Sequence, residues 1–219
     1  MQNKNQIYSK VGNVLTSQMD LSFSHSMSDF ELASINSFKN YFPRCNISCC
    51  FFHFKQNIWR KIQSFGLATA YTSEETTRNY LKLIPSLAFC PESHVITYFE
   101  HTEDHFNQEN VIEEFRPLLN YFEDNYIGRF GRLSRADPIF PISYWNQYNR
   151  VIENLPRTNN NLEGWHNGFN MLVNCSHPHI FQFLSSLKDE QSLIDVKIDN
   201  LLFVSVPHFH IYLPQMQWN

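Results

Sequence analysis

The sequence predicts a mainly α-helical protein with a small β component. Its 219 residues include only 6 glycines but 20 phenylalanines, and few turn-forming glycines among many bulky side chains favour helices with short connections. Apolar residues recur at three- and four-residue spacing through most of the chain, as at Leu32, Ile35 and Phe38, which is the period of an amphipathic helix. Before residue 200, only the short segments 21–27 and 46–53 have strand character.

The helical segments follow from this periodicity and from the prolines that bound it. Pro43 ends one helix, Pro91 begins another, and Pro117 predicts a break or kink inside a third. Residues 127–141 are the clearest loop, and residues 200–214 alternate like a strand although no neighbouring strand is predicted. The predicted helices are 7–19, 28–42, 54–65, 74–89, 92–99, 110–126, 143–152, 161–173 and 180–187.

Composition and charge narrow the classes of protein. Apolar residues make up 42% and charged residues 17%, which is typical of a globular chain. The net charge of −4 means that any contact with nucleic acid must come from a local basic patch. No apolar run approaches ~18 residues, and the polar segment 1–6 leads into no signal-peptide core. We therefore expect an intracellular protein without membrane contact, with free thiols at Cys45, Cys49, Cys50, Cys90 and Cys175.

Asp29 is the first candidate metal ligand. It lies between an extended segment and a helix, where a carboxylate is held in a fixed direction and the loop leaves room for water and phosphate around Mg²⁺. The local alternative is structural, because Ser28 and Glu31 have the spacing of a capping box and Asp29 would suit the helix dipole. The local sequence favours capping.

Glu163 shows the same ambiguity at a later helix start. Asn160 and Glu163 have the spacing of an N-cap and its acidic partner, which favours a structural role. Three consecutive asparagines exceed what a cap requires, however, and Trp165 and His166 add large side chains with polar tips beside the carboxylate.

Cys50 and His53 have half of a zinc-site spacing. No second Cys or His pair completes it at a standard spacing, so a buried cysteine with a hydrogen-bonding histidine is the favoured interpretation.

Two basic clusters are candidate phosphate contacts. Arg129, Arg132 and Arg135 are evenly spaced in the predicted loop and could bind phosphates, or they could neutralise the acidic stretch at 103–124. The second cluster lies on the outer face of the helix predicted at 54–65 and consists of Lys55, Arg60 and Lys61.

Taken in order, eight short blocks resemble the C-terminal two-thirds of Mutator-like element (MULE) transposases. No single block is specific, but their order and spacing cover residues 28–187, which is most of the chain. The blocks are SDFELA at 28–33, CFFHFKQ at 50–56 with IWRK at 58–61, LAFCP at 87–91, YIGR at 126–129, FPISYWN at 140–146, PRTNN at 156–160, LEGWH at 162–166 and SHP at 176–178.

The resemblance implies an incomplete RNase H-like core that carries a helical insertion. Asp29 would be the second catalytic aspartate and Glu163 the acidic residue of the last core helix, both binding Mg²⁺ or Mn²⁺ for DNA cleavage and strand transfer in the nucleus. Cys50, His53, Asn160, Trp165 and His166 would be family motif residues. Residues 1–53 would be a remnant of the core, 54–152 the insertion lobe, 153–190 the C-terminal core helices and 191–219 a divergent tail.

The chain departs from the family pattern before Asp29. The family places its first catalytic aspartate on a strand well upstream, whereas Asp20 is the only acidic residue that precedes Asp29 here. We therefore expect a truncated chain that is inactive alone, binds no metal stably, binds DNA weakly, and needs a partner or self-association to cover its shortened sheet.

Three alternatives remain open from the sequence. The chain could be a non-enzymatic module that binds protein or DNA, or an active enzyme that takes the missing aspartate from another chain. A zinc-binding module is the third.

Overall fold

The computed structural model describes residues 4–18 and 23–205, and this part is mostly helical with one small sheet of two parallel strands. The predicted class, mainly α with a small β component, is confirmed. The chain divides into two compact units, Met1–Asn159 and Asn160–Asn219, which are described separately below.

The first unit contains both strands and nine of the described helices. The strands are β1 (His25–Ser28) and β2 (Asn46–Cys49), and short 3₁₀ turns span Leu87–Phe89 and Glu92–His94. The helices are α1 (Lys4–Gln18), α2 (Leu32–Tyr41), α3 (Phe51–Ser64), α4 (Ala68–Ser73), α5 (Glu75–Ser86), α6 (Val95–Gln108), α7 (Ile112–Phe122), α8 (Ile142–Trp145) and α9 (Tyr148–Ile152).

The two strands form a β–α–β unit in which α2 is the crossover. They pair in parallel, with His25 opposite Asn46 and Ser28 opposite Cys49. A parallel pair requires such a crossover, and the buried Ile35 side chain of α2 joins the core beside Ile47. Both strands therefore end at the same edge of the sheet, which we call the strand-end edge.

The core of the first unit is dominated by aromatic side chains. Phe54 of α3 stacks on Trp145 of α8 with ring centroids 5.1 Å apart, and both side chains are fully buried. Tyr126 and Phe122 pack edge-on against this pair, and the Trp145 indole N–H donates to the Tyr126 carbonyl at 3.3 Å. The buried phenylalanines of the first unit thus contribute to one aromatic core.

One predicted helix limit is wrong in the middle of the chain, and the break that Pro117 could introduce is absent from α7. The helix predicted at 92–99 continues to Gln108, and α7 runs through Pro117 without a break before one π-helical turn, Glu123–Ile127. Tertiary packing explains the second result, because Phe115 and Leu118 on either side of Pro117 are fully buried.

The helix predicted at 143–152 is instead two short helices. The Asn146 side chain accepts a hydrogen bond from the backbone N–H of Tyr148 at 3.0 Å, which is the local turn that asparagine favours over a helix interior.

The second unit contains α10 (Asn160–Val173) and α11 (Ile180–Ser205), packed as a helical hairpin. Phe169 of α10 stacks on Trp165 and meets Phe183 of α11 edge-on, with centroids 5.3 Å and 5.8 Å apart. The helix predicted to end at 187 continues to Ser205. The interpretation of the alternation from residue 200 as a strand is therefore wrong as far as Ser205. A short apolar run does not distinguish the two periods. Residues 206–219 of that tail lie outside the described residues.

No helix within residues 4–18 and 23–205 is long and apolar enough to cross a lipid bilayer.

Candidate functional site at the strand-end edge

Asp29 lies at the strand-end edge, directly after β1. Ser28 is the last residue of β1, and the N-cap of α2 is Glu31, which makes no side-chain capping bond. The predicted capping box is therefore wrong, because the helix begins one turn later than the sequence suggests. The Asp29 carboxylate is 54% exposed and is free of that structural role.

Glu31 pairs with α1 instead. Its two carboxylate oxygens accept hydrogen bonds from Lys4 Nζ and from the Tyr8 hydroxyl, each at 2.7 Å. These hydrogen bonds, with the Lys4 charge, hold the pKa of the Glu31 carboxyl below its ordinary value. Glu31, which the sequence places in a capping box, thus links α1 to the start of α2 through these two hydrogen bonds.

His53 brings an imidazole to Asp29. It lies in the first turn of α3, and its Nδ1 atom is 3.0 Å from Asp29 Oδ1. Nδ1 is buried and makes no hydrogen bond of acceptable geometry, so the ring N–H does not point along the line to the carboxylate. The contact is a close polar approach of the imidazole to the carboxylate.

Cys50 ties a distant segment to the same edge. It follows β2 directly, and its thiol donates to Asn159 Oδ1 at 3.1 Å. The next backbone N–H, that of Phe51, donates to the Arg157 carbonyl at 2.9 Å. Segment 157–159, which leads into α10, is thereby attached to the strand-end edge.

The thiol before Cys50 is chemically quiet. Burial raises the pKa of the Cys49 thiol to about 12, and the negative charges of Asp29 and of an ionised Cys50 add to the shift. Burial therefore disfavours the Cys49 thiolate near neutral pH, which argues against Cys49 as a nucleophile or an easily ionised metal ligand.

Two residues that support this edge carry no sequence signal of their own. Arg150 Nε donates to the Pro156 carbonyl at 2.8 Å, and Arg150 Nη1 donates to Ser48 Oγ of β2 at 3.0 Å. The fully buried Gln147 donates through Nε2 to the Cys49 carbonyl at 3.4 Å. Gln147 is the N-cap of α9 and Arg150 lies in its last turn, and neither position has a distinctive sequence pattern, so only the folded chain reveals their contacts with β2.

The remaining motif residues belong to the second unit. Helix α10 begins at Asn160. Asn160 is therefore the first helical residue and not the predicted N-cap, and Asn159 is the residue that precedes the helix. Glu163 is exposed in the first turn of this helix. The Trp165 indole N–H donates to Glu190 Oε1 at 2.9 Å, and the His166 ring lies 5.2 Å from the Trp165 ring.

The arginine loop is partly neutralised within the first unit. Arg129 forms an ion pair with Asp124, and Arg135 binds Glu100 and Glu123 at 2.8 Å and 2.7 Å. These contacts favour the charge-neutralising alternative for both residues. Arg132 is exposed and forms no ion pair with any described residue, so it is the arginine of this loop that remains available to a phosphate.

The second basic cluster lies along α3. The Lys55 ammonium is 5.2 Å from the centre of the Phe51 ring, and the Lys61 ammonium is 4.8 Å from that of Tyr121. Both charges therefore lie over aromatic rings of the protein, and of the three residues Lys55 and Arg60 are exposed.

The strand-end edge does not fit a two-metal centre. It supplies one carboxylate, an imidazole and a thiol that already donates a hydrogen bond, whereas Mg²⁺ prefers six oxygen ligands. In the part of the chain that the structure describes, no three His, Cys, Asp or Glu side chains are grouped so that they could hold a metal ion.

No protein-family model, curated protein or solved structure matches this chain. Contacts at the strand-end edge join several of the sequence blocks that resemble MULE transposases. Three of those motif blocks, beginning at Ser28, Cys50 and Pro156, meet at this edge.

Proposed function

We propose that this chain derives from the catalytic domain of a MULE-type DDE transposase and retains part of its RNase H-like core. Its ancestral role is then DNA transposition by metal-dependent cleavage and strand transfer. We further propose that the chain alone performs neither reaction.

The observation that carries the proposal is the convergence at the strand-end edge. Asp29 follows one parallel strand and the Cys50-x-x-His53 motif follows the other. The Asp29 Oδ1 and His53 Nδ1 atoms are 3.0 Å apart. Cys50 and Asn159, 109 positions apart, are joined by a hydrogen bond. Three of the eight blocks that the resemblance selects by order alone are thus neighbours in space, which is the arrangement expected if they once formed one site.

The chemistry of the edge supports the absence of activity. Two-metal phosphoryl transfer requires carboxylates that bracket both ions, so that the attacking and leaving oxygens are held together. The sequence matches two of the three family carboxylates, Asp29 and Glu163, and the first of these lies against an imidazole. Such a ligand set does not supply the carboxylates that bracket two metal ions.

A plasmid assay tests this proposal. We expect the purified chain, with Mg²⁺ or Mn²⁺, to nick supercoiled DNA and join labelled oligonucleotides no faster than the Asp29→Ala and Glu163→Ala variants. Metal-dependent cleavage that disappears in Asp29→Ala would contradict the proposed inactivity. It would favour an active enzyme whose third carboxylate comes from this chain or from another chain.

The second candidate function is a non-enzymatic module that binds DNA or protein. The observation that favours DNA is the exposure of three cations, Arg132 in the arginine loop and Lys55 and Arg60 on α3. Because phosphate contacts release counterions, such binding weakens steeply with salt.

Fluorescence anisotropy with a labelled duplex tests this second candidate. We expect Arg132→Ala to weaken binding and to reduce the slope of log K against log salt by about 0.9 for each phosphate that this arginine neutralises. Arg129→Ala is the matched control, because Asp124 already neutralises Arg129. Equal effects of the two substitutions would show that the loop does not bind DNA through Arg132.

A further inference from the structure

Helix α11 of the second unit is much longer than the helix that packs against it. At about 1.5 Å per residue, its 26 residues span about 39 Å, whereas the 14 residues of α10 span about 21 Å. The contacts of α10 with α11 fall on Gln182, Phe183 and Glu190. The C-terminal part of α11 therefore extends beyond α10.

An apolar heptad stripe runs along α11 beside the face that contacts α10. Ile180, Leu187 and Ile194 occupy its d positions, and Leu184, Gln191 and Ile198 occupy its a positions. Ile180, Leu184 and Ile198 are 61%, 47% and 48% exposed and Gln191 is exposed, whereas Leu187 and Ile194 are half-buried, so α10 covers this stripe only in part. A stripe of this period packs against another helix in a coiled coil.

The charges that flank the stripe are self-complementary. Lys188 and Asp195 occupy e positions, and Glu190 and Lys197 occupy g positions. In an antiparallel pair whose core layers join Leu187 to Ile198 of the second copy, each e residue faces an e residue and each g residue a g residue. Lys188 then faces Asp195 of the second copy, and Glu190 faces Lys197 of the second copy, each pair occurring twice by symmetry.

Other arrangements place like charges together. Sliding the antiparallel pair by one heptad brings Lys188 against Lys188 and Glu190 against Glu190, or Asp195 against Asp195 and Lys197 against Lys197. A parallel pair brings Glu190 against Asp195, because g residues face the e residues of the following heptad. One register alone gives opposite charges on both flanks.

We propose that α11 forms an antiparallel coiled coil with α11 of a second copy of this chain. The interface is isologous, so the same stripe serves both copies. Glu190 Oε1 accepts the Trp165 indole N–H, which leaves Oε2 for Lys197 of the second copy. Lys188 and Asp195 are exposed, and Asp195 Oδ1 accepts a hydrogen bond from Gln191 Nε2 at 2.8 Å, which leaves Oδ2 for Lys188 of the second copy. This proposal is independent of the transposase origin.

Charge reversal tests both the interface and its register. Sedimentation equilibrium of the full chain should show a dimer, and Lys188→Asp or Asp195→Lys should each raise the dissociation constant about tenfold or more, because each turns two attractive pairs into repulsive ones. The control is Asp189→Lys, which makes the same charge change as Asp195→Lys on the outer face of α11 and should leave the dimer unchanged.

Mixing the two single variants is the decisive measurement. The new carboxylate at 188 of one chain then faces the new ammonium at 195 of the other, so the mixture should form a heterodimer with an affinity within about threefold of the original. The double variant should dimerise likewise. Far-ultraviolet circular dichroism confirms that each variant keeps its helix.

Three results would overturn the proposal. One is an original chain that stays monomeric up to about 100 μM, the range of a weak interface. Another is a set of folded single variants that dimerise normally. The last is failure of the mixed Lys188→Asp and Asp195→Lys variants to associate, because pairing of e residues with e residues predicts a heterodimer.

Discussion

Replacing Trp145 by alanine should lower the free energy of unfolding by about 3–5 kcal/mol, which is the range for emptying a buried aromatic site. Trp145 is fully buried and stacks on Phe54 at 5.1 Å with the ring planes 7° apart. The substitution leaves a cavity between α3 and α8, and the neighbouring rings are too rigid to close it completely. A urea titration followed by circular dichroism measures the change in stability.

The polar part of this effect can be separated from the packing part. Trp145→Phe keeps an aromatic ring on Phe54 but removes the donor to the Tyr126 carbonyl, so it should cost about 1–2 kcal/mol. Phe52→Ala is the surface control, because Phe52 lies in the same helix as Phe54 but is 46% exposed, and it should cost less than about 1 kcal/mol. Similar destabilisation by Trp145→Ala and Phe52→Ala would mean that the aromatic core does not carry the stability of the first unit.

Gly128→Ala should destabilise the first unit by about 2–4 kcal/mol, because a backbone conformation reserved for glycine and a steric clash add together. Gly128 has a φ of 88°, and a Cβ atom placed on it would lie 1.8 Å from the carbonyl oxygen of Ala136. That oxygen belongs to the backbone, so it cannot move aside without opening the loop at 127–141.

Gly128 also lies in a set of hydrogen bonds that close this loop. Its N–H donates to the Glu123 carbonyl at 2.7 Å, and its carbonyl accepts from Arg135 Nη1 at 2.8 Å. Displacing the loop therefore disturbs the contact of Arg135 with Glu123, a pair that is largely buried. Breaking such a pair is costly because it leaves a buried charge without its partner.

Gly66→Ala is the matched control for this prediction. Gly66 has a similar φ of 77°, but a Cβ atom there would meet no atom within 4 Å. Gly66→Ala should therefore lower the free energy of unfolding by only about 1 kcal/mol, which is the cost of the left-handed backbone conformation for alanine. Equal destabilisation by the two substitutions would show that the close approach to Ala136 is not a constraint on the loop.

The helical class and most helix positions could be predicted because periodicity is a local property. The repeat of Leu32, Ile35 and Phe38 indicates α2 without knowledge of what covers it, and Pro43 indicates where it ends. Helix starts were less predictable. Ser28 and Glu31 have the spacing of a capping box, but pairing of Ser28 with Cys49 draws Ser28 into the sheet and moves the start of α2 to Leu32.

The basic loop shows a second limit of the same kind. Even spacing of Arg129, Arg132 and Arg135 gave two equal interpretations, since one-dimensional spacing does not reveal which carboxylates come within reach. Folding brings Glu100 to Arg135 across 35 positions and places Asp124 beside Arg129, which distinguishes these arginines from Arg132. Charge pairing depends on distances in space, and these follow from packing of the helices.

By itself, the sequence determined that this protein is mainly helical, that Asp29 follows a strand and that the Asn-rich turn before Glu163 leads into a helix, because each of these depends on neighbours within one or two turns. Only the tertiary structure decided that Asp29 is not a cap, that His53 lies beside it, and that Cys50 donates to Asn159. Parallel strands bring their ends together whatever lies between them in the chain, and no local pattern records that pairing.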